Sequence, residues 1–91
     1  MKVRFTERAA DELEDILTYV AAHSPQGAAK VKRRIKLLTD LISRHPEAGQ
    51  RTNRAGLRRI VVQPYPYLLF YQVAADEIVI HGLRHAARRP L

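Results

Sequence analysis

Apolar and polar positions alternate over residues 2–5 (Lys-Val-Arg-Phe), a period of two that predicts a short strand with Val3 and Phe5 facing inward. The period then changes. From Glu7 onward, Leu13, Ile16, Leu17 and Val20 stand at the i, i+3, i+4, i+7 spacing that gathers side chains on one helical face, and this helix runs to about Ala22. Thr6 can cap its first turn, and Glu7 and Asp11 suit the positive end of the helix dipole. At Ser24-Pro25 the pattern restarts: serine caps free amides, and proline at the first helical position forfeits no hydrogen bond. Ala28, Val31, Ile35, Leu38 and Ile42 then mark a second helix to about Arg44, so the two helices form a tight hairpin.

Pro46 and Gly49 end the helical region, and residues 46–56 read as a polar loop, too short to link two domains. Three further strands follow at Leu57–Gln63, Tyr67–Val73 and Glu77–Leu83, separated by Pro64-Tyr65-Pro66 and Ala74-Ala75-Asp76. Short turns make these an antiparallel meander. In the middle strand Tyr67, Leu69, Tyr71 and Val73 share one side, and Leu68, Phe70 and Gln72 share the other. With both faces largely apolar, this strand is expected in the centre of the sheet. The whole is a single α+β domain of order β-α-α-β-β-β, a helical hairpin packed on a small, mainly antiparallel sheet. The hairpin can cover only one sheet face, so part of an apolar, aromatic surface on the other is expected to stay exposed and to invite a protein partner.

Charge changes the picture next. Sixteen Lys and Arg against nine Asp and Glu give +7 over 91 residues. Residues 1–22 carry three basic and five acidic side chains, so the first helix is net acidic and the remainder strongly basic. Such a balance attracts nucleic acid or an acidic protein. The cations of Lys30–Lys36 are explained most simply as a solvated helix surface paired with the acidic first helix. There is no cysteine, and His23, His45, His81 and His85 lack a ligand spacing, so neither a disulfide, a structural metal nor a cofactor is expected. No stretch approaches the roughly 20 apolar residues that span a bilayer, and the N-terminal region reads as no signal peptide, so the expected location is cytoplasmic.

Candidate chemistry gathers at the end of the last strand, where His81, Arg84, His85, Arg88 and Arg89 are close in sequence, with Arg58 and Arg59 on the strand placed near it. Guanidinium groups bind phosphate and carboxylate bidentately, and histidine exchanges protons near neutral pH. A solvated basic face explains the same residues equally well. RNA cleavage would need a base, an acid and cations on the phosphate. His81 and His85, at i and i+4 of a regular strand, would share a face but stand roughly 13 Å apart, too far to act on one phosphate. Tyr65, Tyr67 and Tyr71 have the chemistry to stack on bases, yet the alternation makes Tyr67 and Tyr71 core residues first. No nucleotide loop, nucleophile elbow or metal motif occurs.

The order of elements, taken with particular residues, resembles the RelE/ParE toxin superfamily and its ParE branch most of all. The matching features are Ala9, Leu13, Ile16 and Tyr19; the restart at Ser24-Pro25 followed by Ala28-Ala29; Leu41, Pro46 and Gly49; Arg58 leading Ile60-Val61-Val62; Pro66-Tyr67 and Tyr71; and the closing His85-Ala86-Ala87-Arg88. The chain departs from the pattern at Arg59, where the family usually has an acidic residue, which removes a possible partner for Arg58. No tyrosine follows Tyr71, so the residue set of RelE-type ribonucleases is incomplete.

The resemblance implies a type II toxin that inhibits DNA gyrase by protein–protein contact, with no catalysis of its own and no cofactor. It also implies a ParD-type antitoxin, whose acidic, partly disordered segment wraps the toxin and which alone contacts operator DNA. Contacts are then expected from Arg58, Arg59, Tyr71, Arg84, His85, Arg88 and Arg89. The alternative is a RelE-type, ribosome-dependent mRNA endonuclease, with His85, Arg88 and Arg58 as its catalytic candidates. A third is a relative that keeps antitoxin binding without toxicity.

Overall fold

The computed structural model describes residues 1–87, with elements in the order β1 (Lys2–Phe5), α1 (Glu7–His23), α2 (Pro25–Arg44), β2 (Gln50–Arg51), β3 (Leu57–Val61), β4 (Tyr67–Ala74) and β5 (Glu77–His85). The helix boundaries follow from their caps. Thr6 Oγ1 accepts from the Ala9 amide at 3.1 Å and Ser24 Oγ from the Gly27 amide at 2.9 Å, while Pro25 opens α2. Each cap contributes about 1 kcal/mol.

The sheet order is β1-β5-β4-β3-β2, so β4 is central as its two apolar faces require. β4 is antiparallel to β3 and β5, whereas β1 joins the far side of β5 in parallel. The predicted α+β architecture is therefore present, with one strand added: Gln50–Arg51, inside the expected loop, pairs with Arg59 and Arg58 of β3.

The helical hairpin covers one face. There Val31, Ile35, Leu38 and Ile42 of α2 join Leu69, Tyr71, Ile78, Ile80 and Leu83 of the sheet in the main core, and Leu13, Ile16 and Leu17 of α1 pack at its margin. The expected pairing of a basic α2 with an acidic α1 does not occur among the described residues. The helical ion pairs run within each helix, Arg8–Glu12 and Lys36–Asp40, and Lys30, Lys32 and Arg33 are exposed. Among the described residues, apolar contact rather than ion pairing joins the two helices.

The opposite face corrects a second expectation. Phe70, Val79 and Leu57 point there but are buried, leaving no broad aromatic patch among the described residues. Polar and charged neighbours close over them, and the segment after β2 lines a hollow together with Leu57, Arg59 and Phe70. What stays open is small: Val61 at 43% exposure and Leu68 beside it.

A register shift alters the histidines. Phe70 lies opposite Gly82 but Tyr71 lies opposite Ile80, so His81 is an extra residue, a β-bulge in β5. The bulge reverses the facing of every later side chain. His81 consequently bonds Gln72 on the outer face, 3.0 Å away, whereas His85 turns to Tyr67 on the helix side, with ring centroids 5.7 Å apart and nearly perpendicular. The two histidines do not share a face, contrary to the regular alternation assumed from sequence. Among the described residues, no helix is long and apolar enough to cross a membrane.

Candidate functional site

The residues expected to act together are distributed over three places. Arg84 and His85 line an open cleft of about 620 Å³ between α1 and the end of the sheet, with Glu12, Asp15, Ile16 and Tyr19 of α1 on one wall and Pro66, Tyr67 and Leu83 on the other. Arg58 and Tyr71 lie inside the molecule around the turn after α2. Arg59 faces outward on β3, beside Arg51 and Arg54. Arg88 and Arg89 fall outside the described residues.

The cleft exists because β1 stops early. It pairs with β5 only as far as Ile80, so the later part of β5 has a free edge, and α1 supplies the missing acceptor. Glu12 Oε1 accepts from the Leu83 amide at 3.1 Å, while its other oxygen stands 3.6 Å from Arg84 and 3.7 Å from Arg8. One carboxylate thus closes a strand edge and fixes a cation at the cleft. Glu12→Ala leaves the Leu83 amide without its partner, and we expect a loss of about 1–3 kcal/mol in chemical denaturation, with Glu12→Gln recovering most of it because its carbonyl can still accept. Equal losses in both variants would show that charge, rather than the amide bond, carries the effect. Tyr19 stands 67% exposed at the mouth, and Arg84 Nε is buried without a hydrogen-bond partner among the described residues.

Tyr71 is fully buried, which corrects its expected role as a contact. Its hydroxyl donates to the Pro46 carbonyl at 2.7 Å and accepts from the Gly49 amide at 2.8 Å, tying the turn after α2 to the centre of the sheet. Burial pushes its phenol above the ordinary tyrosine value, against the Gly49 hydrogen bond and the Arg58 charge, which both act to lower it. Arg58 lies beside it, donating to the Gly49 carbonyl at 2.8 Å and the Glu47 carbonyl at 3.4 Å. These carbonyls serve Arg58 in place of an acidic neighbour. Position 59 could not have served anyway, because adjacent strand residues face opposite ways: Arg58 pairs across to Tyr71 and Arg59 to Phe70.

Comparison with known proteins adds to this geometry. The family described as "ParE toxin of type II toxin-antitoxin system, parDE" matches residues 3–90. The chain belongs to the ParE toxin family. This ParE-family toxin is 39% identical to Toxin RelE2 of Caulobacter vibrioides over 96% of its own length and 97% of that protein's. It is 29% identical to the putative toxin Y4kP of Sinorhizobium fredii, covering 93% and 88% of the two chains. Among solved structures, a chain of the chromosomal ParDE toxin–antitoxin system from P. aeruginosa superposes with a TM-score of 0.79 at 24% identity, over 93% of this chain and 95% of that one, and so shares the fold.

Several residues of the ParE-family toxin's surface were not singled out from its sequence. Glu12 and Asp15 are two of the five carboxylates of the acidic α1, and Arg51 and Arg54 belong to the polar stretch 46–56, so neither pair carries a local signal. Tyr19 carried a visible signal: a large aromatic outside the apolar stripe of α1, which an amphipathic helix does not need to expose.

Proposed function

We propose that this ParE-family toxin acts by binding proteins: it inhibits DNA gyrase through direct contact and is neutralised by a ParD-type antitoxin. The family match over nearly the whole chain carries the reading. The dispersal of Arg58, His81 and His85 to separate places supports contact over catalysis, since acid–base cleavage needs its groups within hydrogen-bond reach of one phosphate. In a supercoiling assay the purified toxin should block gyrase and leave added RNA intact. Undiminished supercoiling at a molar excess of toxin sinks the reading.

The antitoxin segment seats in the cleft between α1 and the sheet end. Ile16, Tyr19, Tyr67 and Leu83 offer apolar anchorage, and Arg84 offers a charged donor to an acidic side chain. Of the two carboxylates on the α1 wall, Glu12 is matched by Arg8 and Arg84, and Asp15 is exposed to solvent. Aromatic anchors at interface centres dominate binding. Tyr19→Ala should therefore weaken the antitoxin complex by about 10- to 100-fold in titration calorimetry. Leu37→Ala, at an exposed apolar residue on α2, should leave it nearly unchanged. Matching losses in both variants would place the contact elsewhere.

A second reading, an mRNA endonuclease, is favoured by one observation: the 39% identical relative bears the name Toxin RelE2. His85, beside Arg84 in the cleft, is then its candidate acid–base group. Transcripts that shorten on induction, and stay whole with His85→Ala, would establish it over gyrase inhibition.

A further inference from the structure

We propose that the hairpin of β2 and β3 is a binding surface for the phosphate backbone of nucleic acid, formed by Arg51, Arg54 and Arg59 and separate from the protein-binding cleft. Residues 51–59 hold four arginines and no carboxylate. Two adjoining hollows, of about 280 and 350 Å³, share Arg51 and Arg54 in their lining; Arg59 completes one and Arg58 the other. Among the described residues the ion pairs engage Arg4, Arg8, Lys36 and Arg84, so none reaches this hairpin. Five of the nine acidic residues instead lie on α1, which packs against β1, β5 and α2.

The arginines are held in place by an internally bonded turn. The Thr52 amide donates to the Leu57 carbonyl at 3.1 Å, and the Leu57 amide to the Arg54 carbonyl at 3.1 Å. Thr52 Oγ1 also donates to the Leu57 carbonyl at 2.9 Å and accepts from the Arg54 amide at 3.1 Å. Gly56, at φ +78°, supplies the left-handed residue this turn requires. Arg58 braces the neighbouring strand from the other side through the Gly49 carbonyl, leaving Arg51, Arg54 and Arg59 exposed. Arg51 lies opposite Arg58 and Arg59 opposite Gln50, so Arg51 and Arg59 leave the hairpin from its two faces. A ligand lying along this sheet edge meets both, together with Arg54, on a backbone that is already ordered, and the planar fork of arginine matches phosphate oxygens in pairs.

Nucleic acid suits this surface better than an acidic protein segment. An amphipathic segment needs apolar anchor points beside the cations. Here the apolar floor, Leu57 and Phe70, is buried; Val61 shares the outer face two residues beyond Arg59 but lines neither hollow, and the exposed Met1, Tyr19, Leu37 and Val73 lie elsewhere. Three cations beside a single exposed valine favour a ligand recognised chiefly by charge. The basic surface of α2 is a weaker candidate, because its cations are spread around a helix wheel.

The test is fluorescence anisotropy of the full chain with a labelled DNA duplex and a labelled single-stranded RNA, each of about 20 nucleotides per strand, from about 50 to 200 mM salt. Arg51→Ala/Arg54→Ala/Arg59→Ala should weaken binding at least tenfold and flatten the log–log salt slope by about 2 to 3. A triple change that removes equal charge from α2, Lys30→Ala/Lys32→Ala/Arg33→Ala, should cost less than threefold. Whichever nucleic acid binds tighter identifies the source of the phosphates. Single Arg54→Glu gives the same direction of change should the triple variant not fold. Equal losses in the two triple variants, no binding by the wild type at the lowest salt, or equal competition by polyglutamate would overturn the proposal. None of these outcomes depends on gyrase, so the two readings fail separately.

Discussion

Tyr71→Ala is expected to remove about 3–5 kcal/mol of stability, a large part of the 5–15 kcal/mol typical of a folded domain. The side chain is fully buried in the central strand and is among the largest in the core. Its loss opens a cavity and also strands the Gly49 amide and the Pro46 carbonyl. Urea denaturation should show the midpoint falling with the slope unchanged. Tyr71→Phe separates the two contributions: it keeps the ring, loses only the hydroxyl's two hydrogen bonds, and should cost about 1–3 kcal/mol. Alkaline pH provides a further check. Because burial raises the folded-state pKa above the unfolded value of about 10, the neutral phenol's contribution is fully present below that pH and is lost as pH rises through the folded value. The stability gap between wild type and Tyr71→Phe should therefore narrow in strongly alkaline solution. A gap constant with pH would show that the hydroxyl's environment does not favour its protonated form.

Gly49→Ala should also be damaging, to a smaller extent and by overpacking. A Cβ at this position would come within 2.7 Å of Tyr71 Cε1 and its hydroxyl oxygen and 2.9 Å of the Arg59 carbonyl oxygen. Neither neighbour can retreat easily: the ring is buried, and the carbonyl belongs to the strand that pairs with β2. A loss of about 1–3 kcal/mol is expected in the same denaturation experiment. The two substitutions should also be non-additive. Removing the Tyr71 ring relieves two of the three close approaches, so the double variant should be less damaged than the sum of the singles by about 0.5–3 kcal/mol. Strict additivity would mean that the Arg59 carbonyl alone resists the methyl group.

These residues also show how far the sequence could be read. Thr6 and Ser24-Pro25 mark both helix starts because capping is local chemistry, and β4 is recognisable as central because both its faces are apolar. The β2 strand escapes such reading, since Gln50 and Arg51 are polar, exposed and too few to display a period. The parallel pairing of β1 joins residues more than seventy positions apart, which no local pattern records. The bulge at His81 had a trace in Gly82, a residue that weakens a strand interior and often marks irregular pairing. Missing it placed His81 and His85 on one face. At the candidate site, Arg84 and His85 were rightly seen as neighbours at the end of the sheet, but their surroundings on α1 depend on the angle at which the helix meets a strand edge. Tyr71 is the opposite case: alternation placed it in the core, and chemistry suggested a contact. Its hydrogen bonds to Pro46 and Gly49 explain why a polar tip can be fully buried.

The two outermost strands, β1 and β2, have four and two residues, whereas the central β4 and its neighbour β5 have eight and nine. Lys2, Arg4 and Arg51 further charge those margins. Short, charged margins are poor templates for another chain to zip onto. The apolar central strand Tyr67–Ala74, the kind of segment that stacks into fibrils, is paired by β5 along its length and by β3 over Leu68–Gln72. Self-association should then track complete unfolding and be suppressed by anything that stabilises the native state, including a bound partner.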